Sequence, residues 1–144
     1  CSKPAAWPQS TAEQNRAASS RNVDLGEMTG HLAYRDGQVI GWCNAAPWNA
    51  YLALADLAEP NADEIGAIVC FVIAPGARRQ GVAQALLDAA CDELRDARLK
   101  FAMAKPVHTA QGEAANHSGH LALFLAAGFD VLRETAEWDM LATQ

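Results

Sequence analysis

The sequence has no C-x-x-C pair, no H-x-x-x-H or H-E-x-x-H spacing, and no G-x-G-x-x-G turn. Each absence removes a class of chemistry. The four cysteines, Cys1, Cys43, Cys70 and Cys91, lack the spacing of a zinc site or redox motif. They read as reduced, largely buried thiols, which suits a cytoplasmic protein. Among four histidines, only His117 and His120 share a face, and nothing in the pattern completes a ligand set, so no metal is expected. The longest apolar run, residues 67–74, is far too short to cross a bilayer, so no membrane partner is expected. Positive charge is also scarce. A net charge of −6 argues against a nucleic-acid partner, because phosphate backbones call for a basic surface. Neither an internal repeat nor a linker interrupts residues 1–144, which fit one domain with one core.

Against that acidic background, residues 76–81 form a basic island of charge +2 with no acid. An apolar run, Ile68–Ile73, stops at Pro75-Gly76; the loop Ala77-Arg78-Arg79-Gln80-Gly81 follows and enters an amphipathic pattern. Strand, basic glycine-bounded loop and helix N-terminus together make an anion site. The first N–H groups of a helix lack intrahelical acceptors, and the peptide dipoles make that end positive. Gly81 lets a phosphate approach the backbone, and Arg78 and Arg79 add fixed charge and bidentate donors.

The missing parts narrow the phosphate ligand. Gly76 and Gly81 have the spacing of a triphosphate loop, but Val82-Ala83 stand where lysine and a magnesium-binding hydroxyl are needed. A dinucleotide turn is excluded by its absent glycines. What remains is Arg78-x-x-Gly81-x-Ala83, which matches the R/Q-x-x-G-x-G/A pattern. In this the chain resembles the GCN5-related N-acetyltransferases, whose loop holds the pyrophosphate of acetyl-coenzyme A. Two further stretches carry the resemblance. Residues 32–43, LAYRDGQVIGWC, are similar to a strand pair of a bacterial branch of that family, and residues 121–129, LALFLAAGF, to its helix that ends in Gly-Phe. The likeness spans about residues 30–142; residues 1–30 read as a variable helical segment.

The resemblance implies an α/β fold, with a mixed, mostly antiparallel central sheet flanked by helices. It implies acetyl-CoA as cosubstrate, without metal, and direct attack by an amine on the thioester. Carried over by position, Phe71, Val72 and Ile73 would bond the pantetheine arm and polarise the acetyl carbonyl. Arg78, Arg79, Gln80, Gly81, Val82 and Ala83 would hold the pyrophosphate. Asn116 stands where many members bind the cofactor arm. Phe124, counted with the cofactor-contact positions, occupies the place of the usual leaving-group tyrosine and has no proton to give, so Ser118, His117, His120 or water supplies one, or the thiolate leaves unassisted. The candidate bases are Glu64, His108 and His117. The expected acceptor is a primary amine of a small molecule or peptide, with Glu59, Asp63, Glu64 and Glu113 available to attract a cation. A rival reading, suggested by Phe124, is a non-catalytic acyl-CoA sensor. A monomer or homodimer is expected. The chain opens on Cys1 rather than methionine, so its native start is expected elsewhere.

The coarse organisation follows from periodicity and turn residues. Ser10-Thr-Ala-Glu13 reads as a capping box opening a helix at 11–22. A hairpin at 31–46 turns on Asp36-Gly37. A helical turn or loop at 48–57 and a turn at 59–63 lead to a strand at 66–73. The helix at 81–98 presents Val82, Leu86, Ala90, Leu94 and Ala97 on one face. A strand ended by Pro106, a polar loop at 107–116, a helix at 117–127 and two strands at 129–141 complete the domain. Acceptor choice falls to 1–30 and 47–62, where Trp48 and Tyr51 are candidate pocket walls; Tyr34 and Trp42 read as packing residues.

Overall fold

The computed structural model describes residues 11–51, 54, 59–106, 117–134 and 139–143. Helix α1 (Ala12–Asp24) opens on a capping box one residue later than Ser10-Glu13 suggested. Gln14 N–H donates to Thr11 Oγ1 at 3.2 Å and Thr11 N–H donates back to Gln14 Oε1 at 2.8 Å. The glutamine closes the box as well as a glutamate would.

Strands β1 (Gly30–Arg35) and β2 (Gln38–Pro47) form the hairpin. Asp36 and Gly37 both take positive φ, 51° and 76°, as a two-residue type I′ turn requires. Pro47 ends β2, and a single 3₁₀ turn, Trp48–Ala50, follows. After a second such turn at Ala62–Glu64, β3 (Ile65–Ile73) runs down the middle of the sheet. Helix α2 (Val82–Asp96), β4 (Phe101–Ala104), α3 (Leu121–Ala126), β5 (Asp130–Glu134) and β6 (Asp139–Thr143) complete the order. Helix α3 is shorter than the periodicity implied, because residues 117–118 form a separate turn and His120 is its N-cap.

The sheet order is β1-β2-β3-β4-β6-β5, with only the β3–β4 pair parallel. The expected mixed, mostly antiparallel sheet is therefore what forms. Two cores lie on its opposite faces. On one, Val82, Leu86, Leu87, Ala90 and Leu94 of α2 pack with Cys43, Ile68, Phe71 and Phe124. On the other, Trp48, Tyr51, Ile65, Ala67 and Met103 pack together. Ala97 is the C-cap of α2 and is exposed, whereas Leu87 joins the apolar face. The helix ends one residue before the periodicity does.

Two glycines set how closely α2 approaches the sheet. A Cβ on Gly66 would fall 2.5 Å from Leu94, and one on Gly41 would fall 2.9 Å from Val82. Gly41 pairs with Ile73, at the far end of β3 from Gly66. Helix α2 therefore lies antiparallel to β3, with its N-terminus over the end where β3 stops.

Candidate cofactor groove and acceptor face

Strand β3 carries one residue too many for its neighbour. Asn44 pairs with Cys70 and Ala45 with Ile68, which leaves Val69 as a bulge. A bulge bends its strand and disrupts the local ladder. On the other side, the pairing with β4 ends at Ile68–Ala104, one residue before the bulge. Pro106 follows two residues after Ala104 and has no N–H with which to continue the ladder. Beyond Ile68, β3 pairs only with β2 among the described residues. The sheet splits here, and beyond Ile68 the β4-facing edge of β3 has no strand partner among the described residues.

The loop after β3 is built to leave donors available. A 3₁₀ turn, Pro75–Ala77, reverses the chain, and Arg78 Nε donates to Ile73 O at 3.2 Å, tying the loop to the strand end. Gln80 Nε2 donates to Gly76 O and Arg35 Nη1 donates to Gln80 Oε1, both at 2.8 Å. Arg79 takes φ 57° and Gly81 φ 80°, so the backbone turns left-handed twice within three residues. Left-handed residues in succession with others make concave nests of N–H groups that suit anions. Gly81 is the N-cap of α2 and offers no side-chain cap, so the first turn of that helix keeps its donors. A Cβ on Gly81 would meet nothing within 4 Å. It faces open space.

That space is a groove of about 1010 Å³ running from the end of β3 to the start of α2. Of the residues singled out from sequence, Phe71, Val72, Ile73, Arg78, Arg79, Gly81, Val82, Ala83 and His117 line it. Gln80 does not; its amide braces the loop from behind. Phe124 is fully buried, edge-on to Phe71 (centroids 6.1 Å apart) and to Phe129 (5.3 Å). It backs the wall of the groove and has no surface in it. Glu64 precedes β3 at its opposite end, seven residues from Phe71, which is roughly 23 Å of extended strand. There its carboxylate pairs with Lys100 Nζ at 2.5 Å. His108 and Asn116 lie outside the described residues. Three lining residues escaped the sequence reading, Gln84, Gly119 and Leu123, while His120, a candidate proton donor, does line the groove. Gln84 stands three residues after Gly81 and so belongs to the exposed first turn, a signal that was available. Gly119 and His120 come to the groove only because α3 docks on β3.

The opposite face of the sheet has different chemistry. Around the bulge stand Asn44, Cys70 and Tyr51, and the Tyr51 hydroxyl donates to Asn44 Oδ1. Tyr51 and Trp48 are both buried, and the Trp48 indole N–H has no partner among the described residues. Asn49 Nδ2 donates to Asp63 Oδ1 at 2.7 Å, anchoring this segment to the start of β3. Tyr34, in contrast, is 61% exposed and is not a packing residue. Its strand is an edge, with no strand beyond it among the described residues.

Burial governs the thiols. It pushes Cys43 up to about 12, with Cys91 nearby adding to the shift. Cys91 rises to about 11, burial outweighing the opposing pull of Arg95. Cys70 is also raised, chiefly by burial. A thiol raised to about 12 is about 0.01% thiolate at pH 8, and the thiolate is the nucleophile. Cys43 is therefore expected to alkylate with iodoacetamide at least about 100-fold more slowly in the native protein than in urea. Mass spectrometry of timed samples measures this, and equal rates would show that Cys43 is not held in the core.

Strand, split, nest and helix N-terminus together make a cleft for an extended ligand with phosphates at one end. The acetyltransferase (GNAT) family model matches residues 1–118. The chain belongs to the GNAT acetyltransferase family. No curated protein sequence matches it. Solved structures share the GNAT fold at low identity. A ribosomal-protein-alanine N-acetyltransferase from Brucella melitensis is 18% identical, with a TM-score of 0.60 over 92% of this chain and 78% of that one. A putative acetyltransferase from Salmonella typhimurium, solved with acetyl-CoA, is 16% identical, with a TM-score of 0.62 over 94% and 75%. A phosphinothricin acetyltransferase from Sinorhizobium meliloti in complex with acetyl-CoA is 16% identical, with a TM-score of 0.61 over 90% and 68%. This GNAT chain is an acetyl-CoA-dependent acetyltransferase by family. No described helix is long and apolar enough to cross a membrane.

Proposed function

We propose that the protein transfers the acetyl group of acetyl-CoA to a primary amine of a small molecule or peptide. The observation that carries this reading is the continuity of the groove. One cleft joins the end of β3 to the uncapped N-terminus of α2, as a thioester-bearing arm with a pyrophosphate requires. The residues present fit the cosubstrate: open space at Gly81, two loop arginines, and a strand end that pairs on one side only among the described residues. The N–H groups from Arg79 to Ala83 would hold the phosphates, and Phe71 to Ile73 would bond the arm. Acetyl-CoA, when bound, supplies the activated acyl group.

The protein's own contribution is positioning and proton handling. Backbone N–H groups past the bulge are placed to stabilise charge developing on the carbonyl oxygen. The amine must be neutral to attack, so its proton passes to a base. Glu64 is tied to Lys100 at the other end of β3, and we assign that step to His117, which lines the groove. Phe124 offers no acid. The coenzyme A thiol is acidic enough to leave as an anion.

Calorimetry at near-physiological salt tests the first half, with micromolar or tighter acetyl-CoA binding expected. Release of free thiol across a panel of amines tests the second half, and at least one amine is expected to raise it well above hydrolysis. Absence of acetyl-CoA binding would overturn the proposal. Tight binding without turnover on any amine would leave the sensor reading in its place.

A further inference from the structure

The loop that would receive the pyrophosphate turns left-handed just where its backbone bonds have ended. Ala77 N–H donates to Ala74 O at 2.8 Å, and Arg78 N–H reaches Pro75 O at a long 3.4 Å. Both bonds lie before Arg79. Arg79 then takes φ 57°, a region in which a Cβ crowds the following carbonyl. A non-glycine residue stays there only where its surroundings over-determine the backbone. Two side-chain bonds do so here.

Gln80 Nε2 donates to Gly76 O at 2.8 Å, which closes residues 76–80 on themselves. Gln80 Oε1 in turn accepts from Arg35 Nη1, also at 2.8 Å. The amide cannot turn over. A guanidinium only donates and a carbonyl only accepts, so each end of the amide has one partner it can use. Arg35 is itself firmly placed. It is the last residue of β1, opposite Gln38 and next to the tight turn at Asp36-Gly37. His31 and Ala33 alternate with it on the α2 face, where His31 lies 2.6 Å from Glu93 and Ala33 packs on the core. The hairpin thus brings a fixed donor to the loop from 45 residues away.

This clasp stands outside the groove. Arg79 and Gly81 line the groove, while Gln80 and Arg35 do not. Gln80 is the residue between the two left-handed ones, and the Arg78-x-x-Gly81-x-Ala83 pattern leaves its position open. We propose that Arg35 and Gln80 are positioning residues for acetyl-CoA. Arg35 fixes the Gln80 amide, the amide clasps Gly76, and the clasp holds Arg79 to Gly81 in the turn that presents their N–H groups to the pyrophosphate. Donors already in place bind more tightly, because ordering a mobile loop on binding offsets part of the affinity. This rests on the acetyl-transfer reading above and adds to it two residues that act through the loop.

Calorimetry of the full chain with acetyl-CoA at about 0.15 M salt tests the clasp. Arg35→Ala and Gln80→Ala are each expected to raise the Kd about ten-fold. The double variant should lose no more than about two-fold beyond the weaker-binding single one, because both changes break one unit. Arg35→Lys keeps a donor for the amide and should stay within about three-fold of the parent. Both side chains are exposed, so the melting temperatures of the ligand-free variants should stay within about 2 °C of the parent. A larger fall would make the two residues structural and overturn the positioning role. Salt separates the clasp from a direct pull of the guanidinium on phosphate. The Arg35→Ala loss should be the same at about 0.5 M salt, whereas attraction between exposed charges is screened there. Unchanged Kd in either single variant, additive losses in the double variant, failure of the lysine to rescue, or an Arg35 effect that fades with salt would overturn the clasp. A parent protein that binds no acetyl-CoA would overturn the transferase reading beneath it, and the clasp with it.

Discussion

Replacing Gly81 with aspartate should cost at least about 100-fold in acetyl-CoA affinity at 0.15 M salt, or roughly 3 kcal/mol. Gly81 is exposed at the groove, and its Cβ direction is open, so the new carboxylate would project where the pyrophosphate is expected. Two like charges a few Å apart repel by several kcal/mol even at an effective dielectric near 20, about 4 kcal/mol at 4 Å. The positive φ of 80° adds strain for any side chain, about 1–2 kcal/mol for a general residue and less for aspartate or asparagine. Gly81→Asn therefore serves as the matched control. It has the same shape and strain without the charge, and its affinity should fall by less than about ten-fold. Calorimetry of both variants decides the matter. Equal losses would assign the effect to backbone strain, and retained affinity in the aspartate variant would move the phosphates to another site.

Phe124→Ala should destabilise the fold by about 3–5 kcal/mol, the usual range for a fully buried aromatic. The ring makes edge contacts to both Phe71 and Phe129, so its loss opens a cavity that three secondary elements share. For a domain of this size the melting temperature should fall by roughly 10–20 °C. Denaturant unfolding followed by circular dichroism measures both quantities. A loss below about 1 kcal/mol would mean that α3 is not docked on β3. Phe124→Tyr, which places a phenol where relatives of the family are expected to have one, should also destabilise, by about 1–3 kcal/mol. The tip of the ring faces Gly119, whose Cβ would already lie 2.8 Å from Phe124 Cε2, so a hydroxyl there has little room. The site has closed around the phenylalanine.

Local chemistry made much of this legible in advance. The hairpin was readable because Asp36-Gly37 can adopt two positive φ values in a row. Helix α2 was readable because a 3.6-residue period separates its apolar face from its charged one, although Ala97 fell on the C-cap. The loop Arg78–Gly81 was readable because an anion site at a helix N-terminus is contiguous in sequence. Glu64 shows the limit of the same method. Its place next to the central strand suggested a base, but adjacency in sequence says nothing about which end of a strand a ligand uses. The fold put the groove at the other end and gave the carboxylate to Lys100.

The sequence by itself determined what is held within a single turn or period: the strand–loop–helix, its uncapped N-terminus, and the resemblance that named acetyl-CoA. Only the tertiary structure decided where the sheet splits, because the Val69 bulge exists only in the pairing of β2 with β3. It alone placed Phe124 behind Phe71 and His120 at the groove. Those are relations between elements distant in sequence, or across paired strands. No local rule encodes them, because register and packing are set by the cheapest common burial of all the apolar faces at once.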